Sequence, residues 1–528
     1  MQKKSLLIKL VRQLFLVFLL FSMVACQKTG DLSIKENNTG VVAEVVTAKT
    51  EQEKEEAESQ KSSAAQNTEN NTESESEKTE EKKEEVIPDT YHELSFLAVG
   101  DVMVHKEQLK RAYVPESDSF DFTESFSYIK PFIDSADYAF ANLETTLAGR
   151  SKHRGDSASS YQGYSGYPNF NAPESLADAL KWAGFDFIGT ANNHSLDKGL
   201  NGVINTLAYL RQINLPYTGT FDTIEERNSL KVVEVGGLKI GVIAYTYATN
   251  GLYLKAEEMY RVNTLDNYNA KATEKLYADV EKAKKEPIDL LFVMMHYGNE
   301  YWEKPEKHYQ AGITQKLIDL GVDMIIGSHP HTLQPIIYTE NNSILLNKSM
   351  AAFEPTLANP AISDDSGISA TENKDGDTAP KSDIPIHDSG ADKSSWNISG
   401  IFSLGNFISS QRVVSEYRTD TDTGALIKWV YQWKNDEKPV LVKVGILPTI
   451  VVWQNDRATV LPIDDKSIEA AKADKTMAMT PYVDSRITNA KNTVQKRLTA
   501  FLPDSLIQSM QTEEDGFTYL YLHPEIKK

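Results

Sequence analysis

From about residue 91 onward, the chain alternates short apolar runs with polar clusters and amphipathic stretches. The apolar runs cover residues 94–99, 138–141, 185–188, 239–245, 290–295 and 324–326. Between them lie 172–183, 199–212, 270–284 and 309–320, whose apolar residues recur at helical spacing. Strand-length runs alternating with helices predict an α/β fold with strands buried on both faces. Asn171-Ala172-Pro173-Glu174 predicts a helix start, with Asn as the cap and Pro in the first turn. Further on, 401–407 reads as a strand, and 426–432 with 440–446 as a hairpin across Lys434-Asn435-Asp436-Glu437. Residues 450–453 and 458–461 read as further strands, and 468–501 as helix.

Two polar stretches interrupt this order. Residues 27–88 are rich in Glu, Lys, Ser, Thr, Asn and Gln, with 13 Glu against 5 Lys between 51 and 86. Such a segment buries too little apolar surface to offset its ordering entropy, so a disordered acidic linker is expected. Residues 354–396 read as a flexible insertion. The spacing in Asn373-Lys374-Asp375-Gly376-Asp377 lacks the downstream Glu of a calcium loop. Before the linker, Lys3, Lys4, Lys9 and Arg12 precede an apolar run at 14–24, too short to span a bilayer comfortably. The run closes on Met23-Val24-Ala25-Cys26, which resembles the bacterial lipobox. The resemblance implies a signal peptide at 1–26, lipidation of Cys26 and an extracellular, membrane-held protein. An uncleaved anchor with an incidental cysteine is the alternative. The expected main domain is 89–420, with 421–528 a β-hairpin and helical extension that completes it.

Composition adds limits. The chain has 528 residues, of which 40% are hydrophobic, so part of it is not packed. Its net charge of −20 argues against a nucleic-acid partner, which needs a basic face. The single cysteine excludes an intrachain disulfide.

Chemistry is concentrated where the apolar runs end. The first run leads to Gly100-Asp101, with His105 just beyond; the second to Asn142-Leu143-Glu144; the third to Asn192-Asn193-His194. The run at 290–295 ends at His296, and the run at 324–326 at Gly327-Ser328-His329-Pro330-His331. Singly, each has a plain reading: Asp101 capping a turn, Asn142 and Asn193 in turns, His296 as a satisfied buried histidine. Together they place carboxylates, amides and imidazoles at the carboxyl ends of strands, where α/β sheets carry their sites. With no thiolate in the set, mixed O and N donors suit Mn²⁺, Fe²⁺ or Zn²⁺. The candidate ligands exceed the need of one ion, so two divalent metals are expected, able to activate water and clamp a phosphoryl oxygen.

Gly100-Asp101-Val102-Met103, Asn142-Leu143-Glu144-Thr145, Ala191-Asn192-Asn193-His194 with Asp197 and Gly199, His296-Tyr297-Gly298 with Glu300, Gly327-Ser328-His329-Pro330-His331 and Ser403-Leu404-Gly405-Asn406-Phe407 stand in that order. As a set they resemble the CapA/PgsA family of poly-γ-glutamate capsule biosynthesis, a branch of the calcineurin-like metallophosphoesterases. The resemblance implies a metallophosphoesterase-like β-sandwich flanked by helices. It also implies metal ligation by Asp101, Glu144 (the bridging place), Asn193, His296, His329 and His331, with His194 as general acid or transition-state donor. Asn142, Asn406 and Tyr297 are candidate substrate contacts, and Arg150, Lys152, His153 and Arg154 a candidate anion-attracting patch. The family's relatives often carry Asp-x-His in the first motif; here Met103 takes the histidine's place, with His105 a possible substitute.

Two functions remain open on these residues. One is a cell-surface, metal-dependent hydrolase of phosphate esters or polymer bonds in capsule biosynthesis. The other is a non-catalytic membrane-anchored partner, working with membrane polymer-synthesis proteins, that binds an anionic polymer through its metal site.

Overall fold

The structure is a computed structural model that describes residues 90–346, 396–411, 420–435, 437–454 and 456–522. The expected leader with Cys26, the acidic linker and the insertion lie outside the described residues, except for Trp396 at the insertion's end.

Two large sheets form the domain. In the first, the order is Gln511–Thr512, Thr518–Tyr521, Val440–Trp453, Thr423–Lys434, Tyr91–Val102, Tyr138–Leu143, Phe187–Gly189 and Tyr217–Thr218. Asn406–Ile408 also pairs with Tyr91–Val102, and Ala458–Pro462 with Val440–Trp453. In the second, the order is Ser343–Ile344, Ile336–Glu340, Trp396–Ile401, Met324–Ser328, Leu290–His296, Leu238–Thr246 and Lys231–Val235. Within each sheet, the strands that carry the candidate residues run parallel to one another, while Tyr91–Val102 is antiparallel to Thr423–Lys434 on its other side.

Side-chain alternation explains the layering, because successive residues of a strand face opposite sides. Phe96, Ala98, Phe140 and Phe187 from the first sheet meet Ile240, Val242, Phe292, Met294, Met324 and Ile326 from the second in one shared core. The intervening Leu97, Val99, Ala139 and Ala141 face outward, where Leu176, Leu180, Val203, Leu207 and Leu210 from helices Ser175–Ala183 and Gly199–Gln212 cover them. On the other side, Leu291, Val293, Met295 and Ile325 lie under Leu276, Val280 and Leu317 from helices Ala270–Ala283 and Gln310–Asp319. The result is a β-sandwich flanked by helices on both faces. Phe292 sits fully buried in its centre, edge-on to Phe96 at 5.0 Å between centroids. Its truncation to alanine is expected to cost about 3–5 kcal/mol.

Several local expectations are corrected. The helix expected at 172 begins at Ser175, and Asn171 does not cap it. The Asn171 side chain instead accepts from Ala148 N (2.7 Å) and donates to Gly149 O (2.9 Å), bracing the loop after Glu144. The helix expected over 468–501 is two helices, Asp465–Ala473 and Pro481–Leu498. Pro481 opens the second one, where its missing N–H costs nothing, and the Thr480 side chain caps it. The runs at 440–446 and 450–453 form a single strand, Val440–Trp453. Pro448 falls at the junction where that strand's partner changes from Thr518–Tyr521 to Ala458–Pro462, a place that tolerates a sheet proline. Among the described residues, no helix is long and apolar enough to cross a membrane.

Candidate metal centre

The two sheets bring their strand ends to one edge. Tyr91–Val102 delivers Asp101; Tyr138–Leu143 delivers Asn142 and, one residue past its end, Glu144. The loop after Phe187–Gly189 delivers Asn192, Asn193 and His194. From the second sheet, Leu290–His296 ends in His296, and Met324–Ser328 runs into His329 and His331. The segment 402–406 crosses from one sheet to the other between these ends. Asp101 N donates to Gly405 O (2.9 Å) and Leu404 N to Gly327 O (3.0 Å). This close crossing requires glycine: a Cβ on Gly100 would lie 1.8 Å from Gly405 O, and one on Gly327 would lie 2.0 Å from Phe402 O. The histidine turn itself is bent sharply, with φ of 99° at His329 and 56° at His331. Non-glycine residues seldom adopt such values away from functional sites.

The side chains converge tightly. Ligand atoms of Glu144, His296 and His329 lie within 4.8 Å of one another; so do those of Asp101, Glu144 and His331, and those of Glu300, His329 and His331. Asp101, Glu144, His296, His329 and His331 are all buried, while Glu300 is exposed at the mouth. Hydrogen bonds hold the set in place. Asn142 Nδ2 donates to Asp101 Oδ1 (2.7 Å) and lies 3.2 Å from His296 Nδ1. His296 Nδ1 also meets Ser328 Oγ (2.9 Å), and its Nε2 meets Asn193 Oδ1 (2.7 Å). His329 N donates to Asp101 Oδ2 (3.2 Å), and His331 Nδ1 meets Asn406 Oδ1 (3.0 Å). His194 lies beside this group, with Nδ1 2.8 Å from Asp197 Oδ2 and Phe170 edge-on to its ring at 4.6 Å.

Whether the donor set fits a divalent metal can be judged from its unmet polar atoms. Both Glu144 oxygens and His329 Nδ1 are buried without a hydrogen-bond partner among the described residues. Burying an unpaired carboxylate is costly, and a coordinated cation removes that cost. His296 Nε2 lies 3.4 Å from Glu144 Oε1, and burial holds His296 down to about 3. Burial, then the neighbouring Asp101 and Glu300, push Glu144 well above the usual carboxyl range. Burial likewise pushes His329 well below its usual value. At Asp101 burial works upward but is outweighed by the hydrogen bond from His331 and the charges of His296 and His331, so it lies below the usual range. At His331 burial works downward and is outweighed by Asp101, Glu300 and Asn406, so it lies above. A buried carboxyl raised in this way, beside converging imidazoles with an unmet nitrogen, is the donor chemistry of a divalent site. The residues fit.

Some expected site residues take other places. Tyr297 does not line the cleft: it is fully buried, its hydroxyl 2.7 Å from Thr314 Oγ1 in the core beneath helix Gln310–Asp319. Period-two alternation continues past His296 and turns the next side chain inward. Asn406 does not offer its amide to a ligand; its Nδ2 donates to Thr421 O (2.9 Å) and Gln411 Oε1 (3.0 Å), and its carbonyl orients His331. Asn142 is likewise spent on Asp101 and His296. His105 does not replace the missing first-motif histidine: it belongs to none of the three ligand groups, and its ring packs edge-on to Phe170 at 4.9 Å. Met103 is buried with its sulfur 3.9 Å from Ser409 Oγ. Of the expected anion-attracting patch, Arg150 and Arg154 are both held by Asp118 and by Gln162, while Lys152 and His153 are exposed.

Other residues take part that the motifs did not single out. Asn250 Oδ1 accepts from Asn193 Nδ2 (3.2 Å), and Tyr247 packs its ring 4.4 Å from His329. Both follow the strand Leu238–Thr246, whose end carries no metal-binding residue type, and that concealed its role. From the C-terminal part, Arg497 pairs with Asp420 and with Glu303 (2.5 Å), and Arg486 pairs with Asp422. The segment between those aspartates supplies the Thr421 carbonyl that holds Asn406.

The model of the family described as "Bacterial capsule synthesis protein PGA_cap" matches residues 95–411, well over half of the chain. The chain belongs to that family. Every candidate ligand of the PGA_cap chain lies inside the matched region. Two curated relatives are similar over part of their length. "Capsule biosynthesis protein CapA" of Bacillus anthracis is 26% identical over 244 residues, covering 46% of this chain and 55% of the relative. "PGA biosynthesis protein CapA" of Bacillus subtilis is 25% identical, covering 46% and 59%. The PGA_cap chain thus spans little more than half the length of these relatives. Among solved structures, the calcineurin-like phosphoesterase YfkN from Bacillus subtilis aligns with 77% of this chain and 99% of that one, at 13% identity and a TM-score of 0.32, a likeness too slight to bear on activity.

Proposed function

We propose that this PGA_cap protein is a metal-dependent hydrolase of phosphate esters, or of bonds in a polymer, serving the synthesis of an anionic capsule polymer such as poly-γ-glutamate. The observation that carries the reading is Glu144. Its two buried, unpartnered oxygens belong to two ligand groups at once, one with His296 and His329 and one with Asp101 and His331. A shared carboxylate is what a two-metal site needs; Asp101, His296, His329 and His331, which share its ligand groups, would complete it, with Asn193 beside His296 as a further donor. A divalent pair there, of Mn, Fe or Zn, would supply Lewis acidity toward a phosphoryl oxygen and an activated water. Asp197 takes His194 Nδ1, which leaves Nε2 to give a proton to the leaving oxygen or to stabilise charge growing on it. Asn142 and Asn406 hold Asp101, His296 and His331 in orientation.

The lipobox-like Met23-Val24-Ala25-Cys26 supports a lipid anchor at Cys26 on the extracellular face of a membrane, with membrane polymer-synthesis proteins as partners. One observation favours the non-catalytic alternative: the apolar Met103 stands where a further imidazole would strengthen one of the two metals.

The test is metal content together with hydrolysis of a generic phosphomonoester and phosphodiester. Full-chain protein purified without chelator would be compared with His194→Ala and His329→Ala. Turnover that falls in both variants, with metal lost only from His329→Ala, is the expected result. Metal-free protein that stays inactive with added Mn²⁺ or Zn²⁺ would overturn the enzymatic reading in favour of polymer binding.

A further inference from the structure

Glu300 is the one member of the three ligand groups that the hydrolytic reading leaves without a role. A carboxylate oxygen of Glu300 lies within 4.8 Å of a ring nitrogen of His329 and of His331, and Glu300 is exposed where the other members are buried. An exposed acid beside a cleft needs no explanation by itself. This one sits on a segment fixed to the histidine turn. Tyr301 N donates to the carbonyl of Pro330, the residue between the two histidines (2.7 Å). The Trp302 carbonyl accepts from Thr332 Oγ1 (3.0 Å) and Gln334 Nε2 (2.9 Å). At the start of the segment, Gly298 N donates to the Tyr268 hydroxyl (2.8 Å), and a Cβ on Gly298 would lie 2.5 Å from Gln310 Oε1. Glu300 and the two histidines are thus carried on backbone segments bonded to each other. Among the described residues, no hydrogen bond or ion pair takes up the Glu300 carboxylate, and His329 Nδ1 is buried without a partner.

Counting donors shows where Glu300 is needed. Glu144, His296 and His329 form one set, and Asp101, Glu144 and His331 another. The first set gains the oxygen of Asn193, which lies 2.7 Å from His296 Nε2. The second gains nothing comparable from its own strand end. Met103, two residues past Asp101, is buried with its thioether turned to Ser409 Oγ (3.9 Å). Glu300 joins this second set through His331.

We infer that Glu300 is a ligand of the ion on the His331 side. That ion then meets three carboxylates and one imidazole, while its neighbour meets one carboxylate, one amide and two imidazoles. The oxygen-rich set is the harder of the two and suits Mn²⁺. The inference rests on the reading of the cleft as a two-metal site.

The experiment is calorimetric titration of the full-chain protein, stripped of metal, with Mn²⁺, together with elemental analysis after dialysis. Because Glu300 is exposed, its replacement spares the core. Wild type should take up two ions. Glu300→Gln keeps the shape and removes the charge. It should retain one ion at wild-type affinity and bind the other more than about tenfold weaker, beyond the least effect of losing an outer hydrogen-bond partner. Glu303→Gln removes an equal charge from a side chain that pairs with Arg497 and belongs to no ligand group. It should bind both ions nearly as wild type does, since exposed pairs contribute little. Two ions at wild-type affinity in Glu300→Gln overturn the inference and leave the two-metal reading standing. An equal loss in Glu303→Gln also overturns it, because the effect is then one of net charge. Uptake of a single ion by wild type overturns both. Wild-type turnover of a generic phosphodiester, measured separately, reports on the hydrolase reading. An ion lost in Glu300→Gln from a wild type that shows no turnover removes that reading and leaves Glu300 as a ligand.

Discussion

The two halves of the centre are built from opposite materials. The first sheet supplies carboxylates and amides from regular strand ends and the loop that follows: Asp101, Asn142, Glu144 and Asn193. The second supplies imidazoles, two of them on a turn with positive φ at His329 and His331. On the first side, Asp101 is satisfied within the protein by Asn142 and by His329 N, while Glu144 is left without a partner. On the second, Ser328 and Asn406 fix His296 and His331, while His329 Nδ1 has no partner. Each half therefore holds one group whose burial cost the protein does not meet, and both groups belong to the same ligand cluster. The lesson is that the two unmet groups, one from each half, are the ones a cation between the halves would take up.

The comparison breaks most readily at Glu144. Replacing it by glutamine keeps the shape but removes the shared charge. Metal affinity should fall by more than the roughly 100-fold reached when outer supports are lost. Unchanged metal stoichiometry by elemental analysis would sink the bridging role.

His194→Ala separates chemistry from assembly. Turnover should drop by about 10²–10⁴-fold with metal content intact. Asp197→Asn should give a smaller loss and alter the pH profile of the rate, because it disturbs the tautomer rather than the group; a profile identical to wild type would count against the pairing.

Supports on the imidazole side come next. Asn406→Ala should weaken metal binding by about 10–100-fold, the range for outer hydrogen-bond partners. Arg497→Met acts one step further out, through Asp420 and Thr421, and should give a smaller loss. Equal affinities across wild type and both variants would show that His331 needs no orientation from the C-terminal part.

The smallest effect is a gradient with pH. Glu144 and His331 both lie above their usual values, so each holds a proton that a cation must displace. Binding then releases protons, and affinity should rise as pH rises, by up to about tenfold per unit for each proton displaced. Calorimetry in two buffers of different ionisation enthalpy reads the proton count directly, and zero release would contradict the raised Glu144.

Much of this could be read along the chain. The parallel strands, the four helices between them and nearly all candidate ligands followed from periodicity and from which residue types end each apolar run. The misplaced residues have a common cause. Tyr297 and Asn406 are polar neighbours of His296 and His331, and only the direction of the side chain separates a pocket wall from a core contact. Asn250 and Tyr247 were hidden because their strand end carries no metal-binding residue type.

The sequence by itself determined the elements and the chemical inventory, because strand burial and donor identity are local properties. Tertiary structure decided that the strands divide into two sheets, that residues 402–406 cross between them past Gly100 and Gly327, and that the C-terminal strands sit inside the first sheet. Those choices depend on which surfaces pack against each other. Packing across hundreds of residues leaves no periodic mark on the chain that would announce it.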